Sequence, residues 1–487
     1  MKAWKKFLGV SWRAIVCTGL SLCSVAGVAD EGSRAAMAGS KPNIVFIMAD
    51  DLGWGDLSAY GHYEIETPNL DELAADGKLF TNFYAMSPVC SPSRAGILTG
   101  RFPARHRVHG HFAGSEHNEA RGMPDWLDPS APSFARRLQD GGYATAHFGK
   151  WHLSLPSGEG APPPTEYGFD VSRAYLGAGP SLPIEREGNP DFRAQSTKAI
   201  VDETIDFVRT HRDRPFYVSV WTLIPHTVLN PTEEQMAPFI EKYAPDIPGH
   251  PHAGAKAVYY ATVRDLDRQV GRLMEALEKM GLKEETLVIF SSDNGPETIH
   301  IDGASHSGIG STGPFRGRKR SLYEGGIRVP FIVSWPGVIP KGRVDRESVL
   351  AGVDFMPTFC ELAGVEPPSG EAASDGESML GALGAGPKER QKPLFWEFHY
   401  EIPFGHVIHK SPFTALRDGD WKLLTNPGGE RTKLYDLAND PTELDDLSRR
   451  ELGVAKELKG KLRDLRRPMP EAPISENAGT NAYPWPE

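Results

Sequence analysis

Cysteine is scarce in this chain. Its 487 residues hold four, and Cys17 and Cys23 both fall in an N-terminal apolar run. Only Cys90 and Cys360 remain beyond that run, which excludes a disulfide scaffold. Long apolar runs are missing too. Past Ala29 nothing approaches the ~20 residues that a bilayer span needs. Positive charge is in deficit, with 53 Lys and Arg against 64 Asp and Glu and a formal net charge of −11. That argues against nucleic acid as a partner. It leaves room for a small anionic ligand, because the field inside a cleft can oppose the global one. No internal repeat and no long low-complexity tract is present, which excludes a solenoid.

What is present begins with a leader. Lys2, Lys5, Lys6 and Arg13 precede the apolar run Ala14–Ala29, which ends in the small residues Ala26, Gly27 and Ala29. This is the pattern of a secretory signal peptide over residues 1–29, and it predicts an exported protein, periplasmic or secreted, with no stable membrane span. Its removal would take the formal charge from −11 to −15. The remainder, 39% apolar and 24% charged over the whole chain, has the composition of a folded protein large enough for one big core and a second domain.

The unbroken apolar run Ile44–Ala49 reads as a strand buried on both faces, and Tyr143–Phe148, Phe216–Trp221, Thr286–Phe290 and Pro330–Trp335 read as further strands. Between them lie helical patterns at Leu70–Gly77, Phe134–Gly142, Thr197–Arg209, Tyr259–Met280 and Asp354–Ala363. The alternation predicts an α/β fold, a doubly wound and mostly parallel sheet flanked by helices, over residues 41–366. Residues 367–392, rich in Gly, Glu and Ala, read as a connecting segment. Short strand-like runs and a charged helix, Leu452–Leu465, predict a smaller α+β unit over 393–487, an antiparallel sheet plus a helix. Cys360, in an apolar helical stretch, reads as core.

The chemistry-bearing residues share a position. Asp50 and Asp51, Lys150 and His152, His226, and Asp293 and Asn294 each fall just past the C-terminal end of a predicted parallel strand. Those ends share one sheet edge, where ligands bind. Three carboxylates and an amide gathered there would repel or stand unpaired without a cation. Hard oxygen donors favour Ca²⁺, with Mg²⁺ second, over Zn²⁺. Cys90 opens a further predicted helix, with Ser91 as N-cap, Pro92 at the first helical position and Gly100 as stop. The helix end and Arg94 would then aim positive charge at the sulfur.

The stretch C-S-P-S-R-A-G-I-L-T-G-R, Cys90–Arg101, resembles the signature of the type I sulfatases of the alkaline phosphatase superfamily. The resemblance extends through G-K-W-H at 149–152, the Pro225-His226 segment, R-G-R-K-R at 316–320, Leu322–Pro330 and Gly419–Leu423. It implies that a formylglycine-generating enzyme oxidises Cys90 to formylglycine, whose hydrate supplies the nucleophile. It implies one calcium ion held by Asp50, Asp51, Asp293, Asn294 and an oxygen of the modified Cys90. It further implies that Lys150 and Lys319 hold sulfate oxygens and that Arg94 steadies the hydrate. His226, helped by Lys319, would protonate the leaving alcohol, and His152 would take the proton when sulfate is expelled.

One departure is the charge density of the R-G-R-K-R segment. It makes Arg316, Arg318 and Arg320 candidates for a second anionic group. His306, His300, His111 and His117 are candidates for the rest of the substrate. The expected activity is hydrolysis of a sulfate ester on a carbohydrate, such as a glycosaminoglycan or algal galactan fragment. Phosphonate monoester or phosphodiester hydrolysis stays open, as does a silent glycan-binding protein if Cys90 is never oxidised. The oligomeric state is left open.

Overall fold

The computed structural model describes residues 34–474 apart from 244–253, 299–305, 385, 401–406 and 472. The signal peptide and His300 lie outside the described residues.

Nine strands form the main sheet: β1 (Asn43–Ala49), β2 (Lys78–Tyr84), β3 (Ala144–Lys150), β4 (Val171–Tyr175), β5 (Phe216–Trp221), β6 (Thr286–Ser292), β7 (Arg328–Ser334), β8 (Arg343–Asp345) and β9 (Leu350–Ala351). Their order is β4-β3-β5-β1-β6-β7-β2-β8, with β9 also on β2. Strand β7 pairs antiparallel with both β6 and β2, whereas the other pairings are parallel. The sheet is therefore mostly parallel and mixed.

Strand β1 shows why the expected core forms. Ile44, Phe46 and Met48 point to one face, and Val45, Ile47 and Ala49 to the other. Every one is buried, so alternation is replaced by a continuous apolar run. The first face is covered by α2 (Cys90–Thr99), α3 (Phe134–Asp140) and α6 (Phe355–Ala363). The second is covered by α1 (Pro68–Ala75), α4 (Phe192–His211) and α5 (Ala255–Lys279). Helix α5 carries Val263, Leu266, Val270, Leu273 and Leu277 on its buried stripe, the spacing of one helical face. Cys360 is buried in α6, as expected of a core residue.

Four strands escape the sequence pattern: the short β8 and β9, and β2 and β4. Strand β2, K-L-F-T-N-F-Y, opens with a lysine and carries Thr and Asn. Lys78 is nonetheless buried, paired with Asp345 at 3.0 Å and donating to the Ala382 carbonyl at 2.7 Å. Strand β4 is half-buried at the sheet edge and lies in a stretch rich in turn residues.

A second sheet of four antiparallel strands follows: β10 (Leu394–Glu397), β11 (Thr414–Asp418), β12 (Trp421–Thr425) and β13 (Lys433–Asp436). Helix α7 (Leu452–Arg466) buries Ala455, Leu458 and Leu462 against it. The segment 367–392 is packed rather than loose: Met379, Leu380, Ala382 and Leu383 join the core beneath the main sheet. One buried ionic network ties the two sheets together. Lys422 Nζ of β12 lies 2.7 Å from Glu324 and 2.9 Å from Glu443, and all three side chains are fully buried. Tyr84 donates to Glu324 at 2.6 Å, and Arg328 pairs with the same carboxylate at 3.1 Å. No helix among the described residues is long and apolar enough to cross a membrane.

Candidate active site

Strands β3, β5, β1 and β6 are neighbours and run the same way. Their C-terminal ends deliver Lys150, His226, Asp50 with Asp51, and Asp293 with Asn294 to one edge. Strand β3 reaches its place because residue 149 is glycine: φ is +112°, and a Cβ would stand 1.9 Å from the Trp221 carbonyl oxygen of β5. Asp51 turns the chain with φ +67°, and its N–H donates to Asp293 at 3.1 Å.

Cys90 begins α2 directly beneath this edge and is 2% exposed. The N-cap is Val89, with no side-chain cap. Ser91 does not cap the helix, and Pro92 is third in it. The Ser91 hydroxyl instead accepts the Phe112 N–H at 3.0 Å, which pins the following loop to the helix start. Gly100 does end the helix, with φ +67°.

The donors of a cation cage are in contact. Oxygens of Asp50, Asp51 and Asp293 lie within 4.8 Å of one another, and Asp50, Cys90 and His226 form an overlapping cluster. Asn294 donates its amide N–H to Asp51 at 2.7 Å, whereas its Oδ1 is buried with no hydrogen-bond partner. An orphaned carbonyl oxygen costs about 1–3 kcal/mol. Placed beside three carboxylates, it is the donor set of a hard divalent cation.

Cations surround these oxygens. Lys150 Nζ bridges both oxygens of Asp50 at 2.9 and 2.7 Å. Lys319 Nζ lies 2.6 Å from Asp51 and 3.4 Å from Glu297. Arg94 grips Asp293 at 2.7 and 2.9 Å, donates to the Lys150 carbonyl at 2.7 Å, and stacks on Trp221. Burial alone would raise Asp50, but Lys150, His226 and Arg94 overrule it and hold that carboxyl far below its ordinary range. Asp293 is pushed up to about 6, first by burial and then by Asp50 and Asp51, against the pull of Arg94. Burial likewise raises the Cys90 thiol to about 11.

The two histidines differ. His152 bonds the Phe112 carbonyl through Nε2 at 3.1 Å, and its Nδ1 is buried without a partner. Burial, then Lys150, hold it well below its ordinary value, so it is neutral with a free lone pair at Nδ1. His226 faces the Thr227 carbonyl through Nδ1 at 2.6 Å, while Nε2 stands 3.8 Å from Asp51. About a quarter of its side chain (24%) meets solvent. Burial and Lys319 lower it to about 4.

Known proteins match this arrangement. The sulfatase family profile covers residues 42–365, and that of the N-sulphoglucosamine sulphohydrolase C-terminal region covers 313–468. The chain belongs to the sulfatase family. It is 33% identical over 396 residues to N-acetylgalactosamine-6-sulfatase of Canis lupus familiaris, covering 75% of this chain and 70% of that one. It is 33% identical over 436 residues to arylsulfatase A of Homo sapiens, covering 82% of each. The solved structure of Ps i-CgsB in complex with k-i-k-neocarrahexaose superposes with a TM-score of 0.69 at 28% identity, over 88% of this chain and 92% of that one. The protein is thus a sulfatase enzyme.

Of the other candidates in this sulfatase, Arg320 and His111 border the site, and the rest are placed otherwise. Arg316 donates to the carbonyls of Ile408 and Glu443 at 2.7 and 3.0 Å and covers the Tyr323 ring. Arg318 donates to the carbonyls of Glu297, Gly308 and Gly310 at 2.6–2.9 Å. Both guanidinium groups are spent on holding loops. Arg320 pairs with Glu297. His306 precedes a short turn, Ser307–Ile309, that is tied to the Pro225 carbonyl by Ser307 at 2.9 Å. His111 packs its ring 6.4 Å from that of His152. His117 lies exposed on the short helix Ser115–Ala120. Sequence reasoning missed Glu297, which holds Lys319 and Arg320 in place. Its position four residues past Asp293, in the same loop, was the available signal.

Proposed function

We propose that this sulfatase removes sulfate from a sulfated carbohydrate, using a formylglycine made from Cys90 and a resident calcium ion. The observation that carries this reading is the meeting of Cys90, three carboxylates and the orphaned Asn294 oxygen beneath Lys150, Lys319 and His226. The relatives named for N-acetylgalactosamine-6-sulfate and the neighbour bound to neocarrahexaose support a sugar as the alcohol.

Charge counting supports an anionic ester. Asp50, Asp51, Asp293 and Glu297 face Arg94, Lys150, Lys319 and Arg320, so the described groups balance. Asp50, Asp51, Asp293 and Asn294 would hold the ion, which brings two further positive charges, one of them answered by the single negative charge of a sulfate monoester. The oxidised Cys90 supplies the attacking hydroxyl when hydrated.

This chain's own residues do the rest. Lys150 and Lys319 share their ammonium groups between the cage and the ester oxygens, and a positioned donor of this kind is worth roughly 3–4 kcal/mol. His226 keeps its Nδ1 proton against Thr227 and delivers a proton from Nε2 to the leaving oxygen. An arriving anion offsets Lys319, one of the groups that hold its pKa down. His152 accepts a proton at Nδ1 while Phe112 fixes the ring. Arg94 positions Asp293 and the end of β3 rather than reaching for the ester.

The leader and the catalytic region, residues 41–366, follow the same reading: export with cleavage after Ala29, and maturation by a formylglycine-generating enzyme. Intact mass tests the maturation, since thiol-to-aldehyde conversion lowers it by about 18 Da. N-terminal sequencing of exported protein tests the cleavage. The activity is tested on a panel of defined sulfated saccharides beside matched phosphonate and phosphodiester substrates, with Cys90→Ala as control. Release of sulfate from saccharides is expected; faster turnover of the phosphorus esters would overturn the reading.

A further inference from the structure

A second set of metal-type donors lies outside the carboxylate cage. His109 belongs to the loop after α2, Glu397 ends β10, and His399 follows two residues later. Their side chains are 1%, 4% and 3% exposed. His109 Nδ1 stands 3.4 Å from Glu397 Oε1, and His399 Nε2 stands 2.9 Å from the same oxygen. One donor atom from each residue lies within 4.8 Å of the others. The two rings are nearly parallel, 14° apart with centroids at 5.5 Å.

These atoms are unspent. None of the four ring nitrogens makes an aligned hydrogen bond, and neither does Glu397 Oε1. Buried polar atoms are nearly always satisfied; here His109 Nδ1, His399 Nε2 and Glu397 Oε1 meet only one another, and His109 Nε2 and His399 Nδ1 have no partner, so the place calls for an occupant. The other carboxylate oxygen is taken: Arg466 of α7 binds Oε2 and is itself anchored to the Met469 carbonyl at 2.8 Å. That fixes the carboxylate with Oε1 toward the imidazoles, as outer-sphere partners do in metal sites. Beside the cluster a cavity of 760 Å³, lined by Glu397, His399, Thr414, Thr425, Lys459 and Arg463 among others, gives a path from solvent and room for a water ligand. Two imidazole nitrogens and one carboxylate oxygen suit zinc with an open fourth position, and suit calcium or magnesium poorly.

We propose that His109, Glu397 and His399 bind a transition-metal ion, zinc being the best match, which staples the loop after α2 to the C-terminal sheet. The staple acts close to the chemistry. Three residues past His109, Phe112 gives its N–H to Ser91 and its carbonyl to His152. An ion here braces the strap that orients His152, and this holds whatever the substrate proves to be.

The test is zinc binding by the chelator-dialysed, full-length protein after saturation with calcium. Calorimetry and elemental analysis are expected to give one zinc equivalent in the wild type and in His226→Ala, and none in the His109→Ala/His399→Ala double variant. Zinc should raise the thermal midpoint of the first two proteins only. No zinc uptake by the wild type, or equal uptake by the double variant, would overturn the proposal. If the double variant does not fold by circular dichroism, Co²⁺ on calcium-saturated His226→Ala decides. Visible bands of imidazole-bound, four-coordinate Co²⁺ support the site, and their absence overturns it.

Discussion

The protein buries two dense sets of charges, and they are built differently. At the junction of the sheets, Lys422 is shared by Glu324 and Glu443, and Arg328 and Tyr84 complete Glu324. Opposite charges there face one another directly, and even Glu443 Oε1, which accepts no aligned hydrogen bond, lies 2.9 Å from the Lys422 ammonium. At the edge of the main sheet the cations also balance the carboxylates, yet Asn294 Oδ1 and His152 Nδ1 are left with no partner. A set that closes on itself holds two parts of a fold together. A set that keeps acceptors unspent holds a place for something that is not protein.

The sharpest way to break this contrast is at Cys90. Cys90→Ala should lower kcat by roughly 10⁴-fold or more while leaving the thermal midpoint near that of the wild type; retained turnover on any sulfate ester would remove the mechanism. Next is Asn294→Ala. Loss of one cage oxygen should weaken calcium binding, and activity at limiting calcium, by at least the roughly 10–100-fold typical of outer-sphere partners. Titration of activity with calcium measures it.

The junction should answer in the opposite currency. Lys422→Met removes the cation beside Glu443 and one of two beside Glu324, and should cost about 3–5 kcal/mol of stability, read by urea unfolding, with kcat of the folded protein unchanged. A smaller effect concerns Glu443, which burial and then Glu324 push up to about 7 despite Lys422. A raised folded-state pKa means its contribution is complete below the unfolded value near 4.5 and is lost as pH rises through about 7. The thermal midpoint should fall between about pH 4.5 and 7 and level off above, and Glu443→Gln should flatten that slope. The smallest effect is expected at Arg316, whose partners are loop carbonyls: Arg316→Lys should leave KM for a sulfated saccharide unchanged. A large rise in KM would return it to the substrate.

The contrast also explains what could be read from the residues alone. Strands β1, β3, β5 and β6 announced themselves because burial on both faces leaves runs that are wholly apolar in β1 and mostly so in the others. The same runs placed Asp50, Lys150, His226 and Asp293 at their ends, so the meeting of these residues at one sheet edge was legible before any coordinates. Strand β2 was hidden by Lys78, whose charge is answered by Asp345, 267 residues away in the chain. The N-cap at Ser91 failed for a related reason: its hydroxyl had a tertiary partner, Phe112, that local spacing cannot reveal. Arg316 and Arg318 looked like anion binders because sequence shows charge and hides which carbonyls consume it. His109, Glu397 and His399 lay furthest from view, since nearly the whole length between two sheets separates the first from the others.

The central position of β1 governs how the chain must be made. Its two partners, β5 and β6, begin at residues 216 and 286. This apolar strand thus emerges first and stays unpaired until β5 ends at Trp221, and with one edge open until β6 ends at Ser292. Contacts so distant in sequence make folding slow and leave such a segment prone to aggregate. Synthesis, rather than catalysis, is where this fold is most exposed to failure.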